Sequence, residues 1–93
     1  MTELWLDPDA GETLRAIEAD AVRSVLAHRL NDVLDRLESN PGDASLRRHR
    51  FYRPALWCVL VEAQGEDWAV LWEPHPTQAD DVIVRYLGPA SFT

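Results

Sequence analysis

The stretch from Tyr52 to His75, YRPALWCVLVEAQGEDWAVLWEPH, constrains this chain more than any other. Two apolar runs flank a polar turn containing Gly65, which predicts a β-hairpin. Within the first run, Trp57, Val59 and Val61 fall on one face, and Leu56, Cys58 and Leu60 on the other. A strand with one wet face alternates apolar with polar residues, and this one does not until Glu62. Both faces therefore call for cover. On the second run Trp68 and Trp72 share a face, being four apart in a strand, and two large aromatics there suit either a core or an interface anchor.

Cover for one face comes from upstream. Val22, Val25, Leu26, Leu30, Val33, Leu34 and Leu37 recur at i, i+3, i+4 spacing, which predicts a long amphipathic helix with Asp20 as its cap and Asn40-Pro41-Gly42 as its stop. His28 lies beside that stripe. Before it, Glu3-Leu4-Trp5-Leu6 reads as a short strand, and Asp7-Pro8 as an N-cap followed by proline at the first helical position. Asp9 and Glu12 resemble a shifted capping box. Ala10, Leu14 and Ile17 then predict a short first helix, which Gly11 weakens by about 1 kcal/mol relative to alanine. Three strands are expected downstream, over residues 50–62, 68–73 and 81–87, with turns at 64–67 and 74–80 and a stop at Gly88-Pro89. The expected fold is one α+β domain over residues 1–93, of order β-α-α-β-β-β, with a helical hairpin packed on one face of a small antiparallel sheet.

Composition narrows the function. The 93 residues contain one cysteine, so no internal disulfide forms, no cysteine-based metal motif is present, and a reducing, cytoplasmic location is expected. The first residues lack a basic, apolar leader pattern, and no apolar run reaches membrane-spanning length. A net charge of −7 argues against generic nucleic-acid binding, because phosphates are repelled at long range. The charge is unevenly spread: residues 1–46 hold ten acids and four arginines, residues 47–93 six acids and five arginines. Four of those five are Arg47, Arg48, Arg50 and Arg53, a basic patch interleaved with Phe51 and Tyr52. Arginines among aromatics grip phosphates and stack on bases, unless the acidic helices of the same body take them first. Glu62, Glu66, Asp67 and Glu73 gather near the hairpin turn but read as solvated surface carboxylates; no metal or cofactor is expected.

The layout resembles the RelE/ParE superfamily of bacterial type II toxins. The resemblance runs over nearly the whole chain, through LWLDPDAGETLRAI, VLDRLESNP, the basic joint LRRHR, then LWCVLVE, DWAVLWE and VIVRYLGP. It implies a toxin held by an antitoxin, and a target that is RNA on the ribosome or DNA gyrase. Ribonuclease members hold the scissile phosphate with basic residues on the open sheet face, often with a C-terminal tyrosine, a strategy that suits a pentavalent phosphorane. This chain departs from the pattern there. The corresponding slots hold Cys58, Leu60, Glu62 and Ala69, and the chain given stops at Pro89-Ala90-Ser91-Phe92-Thr93.

The resemblance and the residues together lead to three expectations. The first is a toxin-like protein acting by binding, with Arg47, Arg48, Arg50 and Arg53 facing an anionic target. Leu56, Cys58, Leu60, Trp68 and Trp72 would then face an antitoxin or, as a homodimer, a second copy. The second is a divergent ribosome-dependent ribonuclease using Arg48, Arg50, His49 and Tyr86. The third is a non-toxic dimeric interaction module. His49 and His75 have no partner spacing that marks acid–base catalysis and read as surface residues, and Arg85 and Tyr86 are expected on opposite faces of the last strand.

Overall fold

The computed structural model describes residues 2–47, 49–52, 55–78 and 80–90. The elements in chain order are β1 (Leu4–Leu6), α1 (Pro8–Glu18), α2 (Ser24–Ser39), β2 (His49–Tyr52), β3 (Ala55–Ala63), β4 (Glu66–Pro74) and β5 (Val82–Pro89). Short 3₁₀ turns at Ala21–Arg23 and Ala44–Arg47 lead into α2 and out of it. The five strands form one sheet in the order β1-β5-β4-β3-β2. The α+β class and the packing of two helices against a sheet agree with the sequence. No described helix is long and apolar enough to cross a membrane.

Three features of the sheet correct the expectation. The segment expected as one strand over residues 50–62 is two strands, β2 and β3, paired antiparallel from His49↔Cys58 to Tyr52↔Ala55. Pro54 is the overlooked signal, since proline has no N–H to give to a continuous ladder. The sheet is also mixed, because β1 runs parallel to β5. The helical pair carries the chain across to the β2 edge, and three reversals bring β5 back beside β1 in the same direction. Finally, the β4–β5 ladder skips between Leu71↔Tyr86 and Trp72↔Val84, so Arg85 is a bulged extra residue. The bulge puts Leu87 in the helix-facing core with Val82 and Val84, which strict alternation forbids. Arg85 and Tyr86, expected on opposite faces, are both outside that core.

The core lies between the helices and one sheet face. Leu26, Leu30, Val33, Leu34 and Leu37 of α2, with Ala10, Leu14 and Ile17 of α1, pack on Val59, Val61, Trp68, Val70 and Trp72. Each leucine so buried contributes about 2 kcal/mol relative to an exposed one. Trp72 is wholly buried, and its indole N–H donates to the Leu46 carbonyl at 3.0 Å, which removes the cost of burying a polar group. Val22 and Val25, expected in the stripe, are instead exposed, because the first belongs to the 3₁₀ turn and the stripe meets the sheet only from Leu26 onward.

Local caps differ from the sequence reading as well. Asp7 takes the N-cap position of α1, but its carboxylate makes no cap bond and accepts from Arg85 at 3.2 Å instead. The Asp9–Glu12 capping box is not formed; Thr13 donates to the Asp9 carbonyl. Asp20 does cap, accepting from the Val22 amide at the 3₁₀ turn. On the other edge, Asp81 ties β1 to the β4–β5 loop, accepting from the Glu3 amide at 2.9 Å and the Trp5 indole at 3.1 Å. These two donors, the amide first, hold the Asp81 carboxyl below the usual carboxylate range.

The folded-state value of Asp81 is depressed, so its contribution is complete above the ordinary carboxylate range and is lost as pH falls through the lowered value. Asp81→Asn is therefore expected to weaken the fold at neutral pH and to flatten the acid limb of stability, read from denaturation midpoints and Trp5 fluorescence. At Gly88 an added Cβ would lie 2.8 Å from the Tyr86 hydroxyl. Gly88→Ala is expected to cost about 1–3 kcal/mol by displacing the ring, and much less in a Tyr86→Leu background, which a double-mutant cycle checks.

Candidate functional site

The basic joint becomes a stack on the helix side of the sheet. Arg50 on β2 pairs in register with Trp57 on β3, and Trp57 with Trp72 on β4. Directly opposed residues share a face, so all three lie on one side. Trp57 is half-buried against the core, and the Arg50 guanidinium carbon lies 4.4 Å from its ring centroid. Arg47, at the end of the 3₁₀ turn, lies 5.5 Å from the Trp57 ring and 5.3 Å from the Trp72 ring, and its Nε donates to the Pro41 carbonyl at 3.0 Å. Both arginines are exposed. Arg48, Arg53 and the His49 side chain lie outside the described residues.

The acidic helices do not neutralise the described part of this patch, Arg47 and Arg50. Ion pairs form at Arg23 with Asp20 and Glu66, at Arg36 with Asp32, and at Arg85 with Asp7 and Glu73. Neither Arg47 nor Arg50 has a carboxylate within ion-pair distance among the described residues. Stacking on an indole consumes the face of a guanidinium and leaves N–H edges for an anion. Arg47 also borders a shallow cleft of about 940 Å³ whose other charged lining residues are Asp35, Glu38, Asp80 and Asp81. Those four carboxylates disfavour a phosphate on the cleft side of Arg47.

Tyr86 does not join this site. Its hydroxyl donates to the Pro89 carbonyl at 2.8 Å, and its ring sits against Gly88 on the opposite sheet face. β5 and β2 are three strand spacings apart, about 14 Å. A catalytic set of Arg50 and Tyr86 is not assembled. His75 is likewise engaged elsewhere: its Nδ1 accepts from the Thr77 and Gln78 amides at 3.2 Å, which places the proton of the neutral ring on Nε2. His28 is exposed. Glu66 and Glu73 of the hairpin carboxylates are taken by Arg23 and Arg85, and no group of three metal-binding side chains occurs among the described residues.

The face expected to await a partner is smaller than its sequence suggests. Trp68 and Trp72 belong to the helix-side core, at 4 % and 0 % exposure, and are not partner contacts. Their places alternate with Ala69 and Leu71, which look the other way. On that other face Leu56 and Cys58 are buried within the single chain, contrary to the expectation that a second molecule shields them. Cys58 and Ala69 close up with Ala90, whose amide donates to the Asp67 carbonyl, and Leu71 packs on this cluster. Burial raises the Cys58 thiol pKa, so the thiol stays protonated and inert. Leu60 alone of the expected partner contacts is well exposed, at 48 %.

No protein-family model, curated protein or solved structure matches this chain.

The stack itself predicts a measurable coupling. Arg50→Ala is expected to cost about 0.5–1 kcal/mol of stability, and the loss should vanish in a Trp57→Leu background, because a cation over an indole is worth that much at an exposed site.

Proposed function

We propose that the chain is the toxin-like component of a bacterial type II toxin–antitoxin system, acting by binding an antitoxin and an anionic cellular target. The observation that carries this reading is the pair Arg47 and Arg50, held against Trp57 and, among the described residues, left without a carboxylate on a body of net charge −7. An acidic protein that leaves two arginines unneutralised and fixed on an aromatic holds them ready for an external anion, the phosphates of RNA on the ribosome or of DNA at gyrase. The resemblance of the sequence to RelE/ParE toxins supports the same reading, as does an open sheet face with Leu60 exposed and Leu71 half-buried. Binding is favoured over ribonucleolysis because Tyr86 is committed to Pro89 and lies across the sheet from Arg50.

Induced expression in a bacterial host is expected to arrest growth. The Arg47→Ala/Arg50→Ala variant, checked for folding by circular dichroism, should lose the arrest, while Tyr86→Phe keeps it. A harmless, dimeric wild-type protein would overturn the reading in favour of a non-toxic interaction module. Arrest accompanied by message cleavage that depends on Tyr86 would restore the ribonuclease alternative.

A further inference from the structure

The outer side of β3 is only half used. β2 pairs with it from Ala55 to Cys58, and the same register would set Arg47 opposite Leu60. Arg47 instead belongs to the 3₁₀ turn and stacks on Trp57 and Trp72. Leu60–Ala63 therefore have β4 on one side and no strand on the other among the described residues, and no hydrogen bond to their outward backbone groups is found there. A bare edge is a template for strand addition. This one carries side-chain information as well. Leu60 is exposed, and with Glu62, Asp67 and Ala90 it lines a hollow of about 330 Å³ on the open face. Neither carboxylate has a basic partner among the described residues.

We infer that the Leu60–Ala63 edge accepts an extended segment of a partner protein, added in line with β2, with an apolar side chain beside Leu60 and a basic one beside Glu62 and Asp67. This deepens the reading that the open face binds a partner protein, and rests on it. A second copy of the chain is a poor occupant. In a two-fold antiparallel pairing that keeps the faces matched, centring on Val61 sets Leu60 against Glu62 twice, and centring on Glu62 sets carboxylate against carboxylate. Centring on Leu60 needs Cys58, which β2 already occupies. Two bodies of charge −7 also repel.

The test uses the full chain, isotope-labelled, and a short synthetic peptide in which threonine alternates with leucine, arginine and leucine. Amide exchange at Leu60–Ala63 is expected to slow about tenfold at saturating peptide. The effect should disappear when alternate peptide nitrogens are methylated, and binding should weaken about tenfold with Glu62→Arg. Perturbation of the open face without amide protection, or insensitive to methylation, overturns strand addition while leaving partner binding standing. Protection that grows with protein concentration and ignores the peptide assigns the edge to a second copy and overturns the inference, as does no binding at all. Growth arrest through Arg47 and Arg50 is scored separately, so failure here and failure of the toxin-like reading are distinguishable.

Discussion

The buried indole of Trp72 is the point on which the rest of the structure turns. Its ring fills the space under the leucines of α2, and its N–H is satisfied by the Leu46 carbonyl in the turn that follows that helix. A tryptophan with no exposed surface and an unpaired N–H would be a liability; paired, it locks helix, turn and sheet together. Replacing such a residue by alanine removes about 3–5 kcal/mol, a large part of the net stability of so small a domain. The contact also sets which face of β4 looks inward, and β3 follows through the ladder between them.

With that face committed, the charges distribute themselves around it. The bulge at Arg85 restores Leu87 to the core and frees a guanidinium to bridge Asp7 and Glu73, joining the start of α1 to β4. Arg23 does the same at the hairpin end, meeting Glu66 and lying 5.7 Å from the Trp68 ring. These pairs are about a third exposed and contribute modestly. They use up arginines and carboxylates near the sheet, and among the described residues Arg47 and Arg50 are left stacked on Trp57 without such a partner.

The far face solves its exposure differently. Cys58, Ala69 and Ala90 are small, so they need little cover, and the continuation of β5 past Gly88 supplies it through the Ala90–Asp67 bond. What remains among the described residues is local: the protruding Leu60 beside a strand edge with no partner there and two carboxylates. A surface of that kind recognises by backbone pairing and alternate side chains more than by apolar area.

Much of the fold is legible in the chain. The α2 stripe from Leu26 to Leu37, the Asp7-Pro8 start of α1 and a turn at Gly65 are local patterns, fixed by helical periodicity, proline geometry and glycine's tolerance of positive φ. The turn itself is tighter than the expected 64–67, with Glu66 and Asp67 already in β4. The basic joint and its neighbouring aromatics are also plain in the sequence. What tertiary structure decided was assignment between equals. Trp68 and Trp72 against Leu56, Cys58 and Leu60 is a choice of face that alternation cannot make when both faces are apolar, because the same period fits either side. The bulge at Arg85, the parallel seat of β1 and the divorce of Tyr86 from Arg50 depend on strand register and order, which arise from contacts far apart in the chain. Sequence names the residues that must be buried; only packing decides which of them share a side.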